Sequence, residues 1–220
     1  MIFIVYKEKK GQIDPDKMVS MNKIAKTILT WYEENGRNFL WRKNPSSPYE
    51  IMVAEILLQR TTAKSVHKFY PTFIKKYPDL DKLGQAEEND LEDILSNLGL
   101  LYKAKIFKKI ARKLQEKNYE IPETKNDLME LYGIGDYISS AILTFGFEKN
   151  TPIVDSNIRR FASRFWELED EKRIKKKLLS LTKDNTKKIY FGLLDICWFY
   201  CRAPEPKCEE CPLKQFCPCP

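Results

Sequence analysis

The sequence predicts an all-α protein, and three observations lead to that prediction. Apolar residues recur at helical spacing in one segment after another, glycine is scarce with 8 residues in 220, and no segment of any length alternates apolar and polar residues as a half-buried strand does. The hydrophobic fraction of 43% and the charged fraction of 31% are typical of a globular chain, and the chain is long enough to bury a core without disulfide bonds.

The predicted helices follow one another along the chain. The first carries an apolar stripe at Ile24, Ile28, Trp31 and Tyr32, and the second begins near Pro48. Further helices are predicted over residues 107–114, 138–145, 158–166, 174–181 and 189–200. Residues 1–20 contain Gly11, Pro15 and several charges, and they are predicted to form an N-terminal extension.

The net charge of +7 allows a polyanionic partner, but a charge of this size does not indicate one by itself. No apolar run approaches the roughly 20 residues that a membrane helix needs. The apolar start of the chain is too short for a secretory signal and lacks a cleavage site. We therefore expect an intracellular protein without a membrane partner.

All cysteines of the chain fall between Cys197 and Cys219, which indicates one local site rather than a disulfide framework. Four of them follow the spacing Cys201-x6-Cys208-x2-Cys211-x5-Cys217. Thiolates suit either zinc or an iron–sulfur cluster, and a single CxxC with unequal outer spacings favours a [4Fe–4S] cluster. Cys197 is expected to be a buried thiol, and Cys219 a spare one.

A glycine turn, Gly133-Ile134-Gly135, separates two stretches that favour helix formation, which is the plan of a helix-hairpin-helix. In such a motif, outward-facing backbone N–H groups and the N-terminus of the second helix hold a DNA phosphate. The same residues also fit an ordinary glycine cap and turn, and the two glycines alone do not decide between these interpretations.

An aspartate follows the glycine turn by about twenty residues, directly before the helix predicted over 158–166. Asp155 fits an N-cap of that helix, and it fits equally well a reactive carboxylate that lies beside the hairpin.

In their order along the chain, these features resemble the helix-hairpin-helix DNA glycosylases of the endonuclease III and MutY type. The likeness covers about residues 21–217, and the cysteine spacing is identical to the cluster motif of that superfamily. The other matching segments are Phe39-Leu40-Trp41-Arg42, Pro48-Tyr49, Ala54 to Thr61, Leu131 to Tyr137 and Val154 to Asn157.

The resemblance implies a [4Fe–4S] cofactor and two α-helical lobes. A cluster lobe would comprise residues 21–39 and 150–220, and a six-helix barrel lobe would comprise residues 40–149. It also implies that a monomer binds double-stranded DNA across the cleft and flips the target nucleotide into it, because the glycosidic bond is shielded in the base stack.

The resemblance assigns a role to four side chains. Asp155 matches the catalytic aspartate, whose carboxylate stabilises an oxocarbenium-like sugar. Tyr137 stands where strand-cleaving members carry a lysine; since a phenol forms no Schiff base, a monofunctional glycosylase with little lyase activity is expected. Glu55 matches the glutamate that protonates the leaving base in MutY-type enzymes, although alone it would be interpreted as a helix-surface carboxylate. Asn157 is expected to orient the sugar or Asp155.

Three departures from the MutY pattern bear on the base that is removed. Leu100 replaces a stacking tyrosine, Ser156 replaces a glycine, and three residues follow Cys217 where MutY-type enzymes continue into a further domain. The run of residues 55–63 is closest to the archaeal thymine-mismatch type. We therefore expect thymine or uracil opposite guanine, with adenine opposite guanine or 8-oxoguanine as the alternative. A non-catalytic iron–sulfur DNA-binding or redox protein is a third possibility, against which the presence of both Asp155 and Glu55 argues.

Other residues are candidates for contacts with DNA. Three of these candidates would fill the gap that the flipped nucleotide leaves in the base stack and contact the guanine left unpaired opposite it: Gln59, Arg60 and Leu100. A position in the hydrophobic core is the alternative for Leu100. In the family, the loop that here contains Arg202 and Lys207 touches the DNA backbone. The lysines between residues 103 and 113 fit either phosphate contacts or a solvated helix face.

Overall fold

The computed structural model describes residues 15–43 and 47–218, and every regular element within these two stretches is helical. No helix among them is both long and apolar enough to cross a membrane. The α-helices in chain order are α1 (Pro15–Asn35), α2 (Pro48–Leu58), α3 (Ala63–Lys76), α4 (Leu80–Gln85), α5 (Glu88–Ser96), α6 (Tyr102–Gln115), α7 (Lys125–Met129), α8 (Asp136–Ala141), α9 (Ser156–Trp166), α10 (Glu171–Leu181) and α11 (Thr186–Phe199).

The predicted all-helical class is confirmed, and several predicted helix limits agree with the structure. Helix α2 begins at Pro48 because Ser47 and Glu50 form a capping box: the Ser47 Oγ accepts the Glu50 N–H at 3.1 Å, and the Glu50 carboxylate accepts the Ser47 N–H at 2.8 Å. Helix α1 starts at Pro15, so part of the predicted extension is helical. Residues 1–14 and Cys219 lie outside the described residues.

Helix α1 packs along α11 and also contacts α10, while α9 contacts both α10 and α11. Helix α6 packs against α4 and α5, and α2 contacts α3 and α8. The approach of α1 to α11 depends on Gly192, where a Cβ atom would lie 2.7 Å from the Cγ2 of Ile28. The position of α11 on α1 therefore requires a residue without a side chain at this point.

A buried carboxylate on α11 holds the connection between α1 and α2. Asp195 is 0% exposed, and its Oδ2 accepts the backbone N–H of Arg37 and the Nη1 of Arg42, both at 2.8 Å. Its Oδ1 accepts the Nε of Arg37 at 2.7 Å. Arg42 ends a short 3-10 helix, Leu40–Arg42, so these bonds fix the whole connecting segment against α11.

Two lysines of the basic run 103–113 donate hydrogen bonds to backbone carbonyl groups of the protein. Lys103 is 0% exposed and donates hydrogen bonds to the carbonyl oxygens of Leu57 at 2.9 Å and Gln59 at 2.6 Å. Lys108 donates to carbonyl groups at the C-terminal end of α4. Helix ends leave such carbonyl groups without intrahelical partners, and the two ammonium groups satisfy them. A phosphate contact or a solvated face is therefore the wrong interpretation for these two lysines.

The substitution Asp195→Asn is expected to lower the free energy of unfolding by about 3 kcal/mol, because it leaves two guanidinium groups beside a buried neutral amide. Denaturant unfolding followed by circular dichroism measures the change. The matched control is Glu33→Gln, which breaks the exposed ion pair with Lys188 and is expected to change stability by less than about 1 kcal/mol. Equal effects of the two substitutions would contradict the central role of Asp195.

Candidate active site

A cavity of about 510 Å³ lies among the segment 37–42, α2, α8, α9 and α11. It brings together residues that are far apart in the sequence, and most of its apolar wall is aromatic. Its polar lining consists of Arg37, Arg42, Glu55, Gln59, Tyr137, Asp155 and Asn157. All four predicted catalytic side chains and Gln59 therefore face one space.

Asp155 both caps α9 and lines the cavity. Its Oδ1 accepts the backbone N–H of Ile158 at 2.7 Å, and its Oδ2 accepts the Nδ2 of Asn157 at 2.9 Å. These two bonds fix the direction of the carboxylate. The two interpretations of the sequence, helix cap and cavity carboxylate, hold for the same residue because the helix begins at the cavity wall.

Asn157 is held in place by an arginine that the sequence analysis did not single out. The Nη2 of Arg160 donates to the Oδ1 of Asn157 at 2.9 Å, and its Nε donates to the carbonyl oxygen of Cys201 at 2.7 Å. A continuous chain of hydrogen bonds thus leads from Asp155 to the first cysteine of the predicted cluster motif. The available signal was the spacing of three residues between Asn157 and Arg160, which places both on one side of α9.

Glu55 lies on the buried side of α2 and is 6% exposed, so the interpretation as a helix-surface carboxylate was wrong. Burial raises the pKa of Glu55 to about 7, against the hydrogen bond from Tyr137 and the charge of Arg42, which lower it. The charge of the Asp155 carboxylate makes a smaller contribution to the same rise. The cavity therefore contains a carboxyl group that can carry a proton near neutral pH.

Tyr137 donates its hydroxyl hydrogen bond to Glu55. Burial first, and then the charges of Glu55 and Asp155, hold the pKa of Tyr137 well above its ordinary value. The phenol is consequently protonated at neutral pH and acts there as a hydrogen-bond donor.

The glycine turn has the form that a helix-hairpin-helix requires. Gly133 has a φ of +81°, and a Cβ atom there would lie 3.0 Å from the Cγ2 of Ile106. Ile134 anchors the turn in the core, where its side chain is 5% exposed. At Gly135, which caps α8, a Cβ atom would meet nothing within 4 Å. The backbone of this turn is thus fixed from inside and open on the outside.

The first residue of α8 ties the hairpin to its neighbours. Asp136 pairs with Lys125 at 2.7 Å and with Lys175 of α10 at 3.3 Å. The hydrogen bond from Lys125 is the largest of the effects that lower the pKa of Asp136. The negative charge beside the glycines is therefore balanced, and the hairpin is fixed to both α7 and α10.

The residues predicted to read the DNA lie in two loops. Gln59 lines the cavity and donates to the carbonyl oxygen of Gly133 at 3.4 Å, and Arg60 beside it is exposed with a φ of +59°. Leu100 is only 5% exposed, whereas Leu101 is 46% exposed. In this conformation the core alternative describes Leu100, and the apolar side chain that this loop presents at the surface is Leu101.

The predicted cluster ligands lie together. The four cysteines that line one small cavity are Cys201, Cys208, Cys211 and Cys217, and none of them forms a disulfide bond. Arg164 approaches this cavity, with its Nη1 3.7 Å from the Sγ of Cys201. Among the described residues, no group of three or more His, Cys, Asp or Glu side chains is arranged to hold a metal ion. Cys197 is fully buried, as predicted.

Arg202 and Lys207 lie in the loop between the first two cysteines, and both are exposed. The carbonyl oxygen of Arg202 accepts a hydrogen bond from Arg164 at 2.7 Å, and Lys207 lies 3.6 Å from the carboxylate of Glu210. The loop is thus anchored through its backbone while both cationic side chains point to solvent. Their contact with the DNA backbone stays a prediction.

Known proteins match this chain along most of its length. Its sequence is 34% identical over 198 residues to an adenine DNA glycosylase of Buchnera aphidicola subsp. Baizongia pistaciae. The aligned region covers 87% of this chain and 56% of that protein. It is 32% identical over 208 residues to a thymine/uracil-DNA glycosylase of Pyrobaculum aerophilum, which covers 89% of this chain and 90% of that protein. The chain therefore spans just over half the length of the first relative and most of the second.

A solved structure is also similar. The structure of a thermostable thymine-DNA glycosylase superposes with a TM-score of 0.84 and 27% identity, over 92% of this chain and 96% of that one. Residues 53–184 match the family model of the HhH-GPD superfamily base excision DNA repair protein. The resemblance seen in the sequence is confirmed, and the chain belongs to the HhH-GPD superfamily of base excision DNA repair proteins.

Proposed function

We propose that this protein is a monofunctional DNA glycosylase that removes thymine or uracil opposite guanine from double-stranded DNA and acts as a monomer. The observation that carries the proposal is the cavity in which Asp155, Glu55 and Tyr137 face one another. Among the described residues that line it there is no lysine. With a phenol in place of an amine, the sugar has no partner for a Schiff base, and water completes the reaction.

Asp155 stabilises the sugar as the glycosidic bond breaks. Cleavage leaves positive charge on the sugar ring, and a carboxylate held beside the ring offsets that charge. The bonds from Ile158 and Asn157 orient Asp155 before substrate arrives, so no reorganisation is required at the moment of reaction. The target nucleotide reaches the cavity only after it has left the base stack.

Glu55 assists the departing base. With a pKa of about 7, its carboxyl group is partly protonated at neutral pH and donates a hydrogen bond or a proton to the base as it leaves. The Tyr137 hydroxyl keeps this carboxyl group in one orientation. Asp155 and Glu55 thereby take different roles in one cavity, since one supports charge on the sugar and the other supports the leaving base.

The choice of thymine or uracil has two supports. The thymine/uracil-DNA glycosylase of Pyrobaculum aerophilum and the thymine-DNA glycosylase structure both match nearly the whole of this chain. Leu100 also occupies the loop position at which MutY-type enzymes carry a stacking tyrosine. Adenine remains the second candidate because Glu55 provides the proton that adenine, a poor leaving group, requires, and because an adenine glycosylase is 34% identical to this chain.

We also propose that the four cysteines hold a [4Fe–4S] cluster, in a lobe formed by residues 21–39 and 150–220, with a barrel lobe over residues 40–149. The support is chemical: four cysteines without disulfide bonds line one cavity, and thiolates are the donors that iron–sulfur clusters use. When bound, a cluster supplies iron–thiolate bonds that hold the loop of residues 201–217 in one conformation. Packing of α1 on α10 and α11 joins the two parts of this lobe.

A panel of duplexes tests the base specificity. Purified protein is expected to convert G·T and G·U duplexes to abasic sites, which break only after alkali or heat because no lyase acts. The panel includes G·A, 8-oxoguanine·A and thymine glycol duplexes for comparison. Reaction of the adenine mismatches alone would establish the second candidate.

The substitution Asp155→Asn tests the role of the carboxylate. It preserves a helix-capping side chain and is expected to abolish excision while duplex binding remains. Unchanged turnover would contradict the assignment.

The pKa of Glu55 predicts a pH dependence. The single-turnover rate is expected to fall about tenfold per pH unit above about 7, because the ionised carboxylate no longer donates to the base. Glu55→Gln should lower the rate and remove this alkaline decrease. Tyr137→Phe removes a hydrogen bond that lowers the pKa of Glu55, so the decrease should move to higher pH. A profile that is flat from neutral to alkaline pH would exclude this role for Glu55.

The cofactor has its own test. Protein purified without oxygen is expected to be brown, with broad visible absorption and equal amounts of iron and acid-labile sulfide. Cys211→Ala should lose this absorption, whereas Cys197→Ala should retain it because Cys197 is buried outside the cavity that the other four line. Colourless protein with one zinc ion per chain would overturn the cluster assignment.

A further inference from the structure

An exposed tryptophan stands at the mouth of the candidate active site. Trp198 lines the cavity and is 56% exposed, whereas the other residues that line it are buried or partly buried. Trp31 and Trp41 are only 9% and 4% exposed. An exposed large aromatic side chain costs hydration free energy, and at this place it offers a flat surface to whatever enters the cavity.

The position of Trp198 on α11 directs it to the cavity. Leu194, one helical turn earlier on the same face, also lines the cavity. Asp195 and Cys197 lie between them on other faces of the helix and are fully buried. The face that carries Leu194 and Trp198 is therefore a wall of the cavity that continues outward to its rim.

Two neighbours hold the indole ring in place. The Arg37 guanidinium carbon lies 4.8 Å from the centroid of the Trp198 ring, and the Phe199 ring meets it at right angles, with the centroids 4.7 Å apart. Arg37 is itself bonded to the buried Asp195. The ring is thus supported on the protein side, while Trp198 as a residue is 56% exposed.

We propose that Trp198 is a positioning residue that stacks on the flipped nucleobase at the cavity mouth and aligns the nucleotide with Asp155 and Glu55. This inference rests on the proposed function. A planar base is the ligand that fits, because every base has a face that stacks on an aromatic ring. Arg37 directs its Nε and Nη2 to Asp195, so these donors are already engaged, and the group that this part of the rim offers to a ligand is the exposed aromatic ring.

Fluorescence tests the contact directly. The probe is a duplex that contains non-hydrolysable 2′-fluoro-2′-deoxyuridine opposite guanine, with an otherwise identical G·C duplex as reference. Wild-type protein is expected to show stronger quenching of tryptophan emission with the first duplex, because the stacked base quenches Trp198. Trp198→Phe should lose this difference, and the matched control Trp166→Phe should retain it. A difference that persists in Trp198→Phe overturns the proposal.

Kinetics tests the positioning. Trp198→Ala is expected to lower the single-turnover excision rate about tenfold, in line with the loss of one base–aromatic stack, while Trp198→Phe retains most of the rate. Affinity for a duplex with a baseless sugar analogue should change less than about twofold. Equal losses in rate and in this affinity would show a backbone contact and overturn the proposal. If the wild-type protein excises the base and Trp198→Ala does so at the same rate, this inference alone is refuted. If the wild-type protein excises no base, the proposed function is refuted as well.

Discussion

The cavity depends on the buried carboxylate of Asp195. This side chain accepts the backbone N–H of Arg37 and both guanidinium groups of the segment that joins α1 to α2. A buried carboxylate without partners costs several kcal/mol, so the segment and α11 are stable only together. Since this segment supplies Arg37, Phe39, Trp41 and Arg42 to the lining, one ion-pair cluster sets the position of a whole wall of the candidate active site.

The same cluster sets the electrostatics inside the cavity. Arg42 lies close enough to Glu55 that its charge lowers the pKa of the glutamate, which burial alone would raise further. Asp155, by contrast, is placed by local structure, because it caps α9 and accepts the amide of Asn157. Two carboxyl groups with unlike surroundings can perform unlike proton chemistry in a single site, as the proposed reaction requires.

The sequence predicted the elements whose signals are local. Pro48 marked the start of α2, and Asp155 marked the start of α9. The apolar stripe of helix α3, formed by Val66, Phe69, Tyr70 and Phe73, was not recognised in the sequence, where Pro71 interrupts it with a residue that argues locally against a helix. The burial of Glu55 and the bond from Arg160 to Cys201 were missed for a different reason. Both depend on packing between segments that are remote in sequence, and the residue pattern of a single sequence does not show which segments meet.

Lys103 shows how such long-range packing bears on the proposed DNA recognition. Lys103 lies at the start of α6, two residues after the exposed Leu101. Its ammonium group donates hydrogen bonds to the carbonyl oxygens of Leu57 and Gln59 at the end of α2. Gln59 in turn bonds to the carbonyl oxygen of Gly133 in the hairpin. The turn after α2, the loop before α6 and the glycine hairpin are therefore held in one arrangement. Burial lowers the pKa of Lys103 to about 8, and the hydrogen bonds to the two carbonyl oxygens at this junction offset part of the cost of burying its ammonium group.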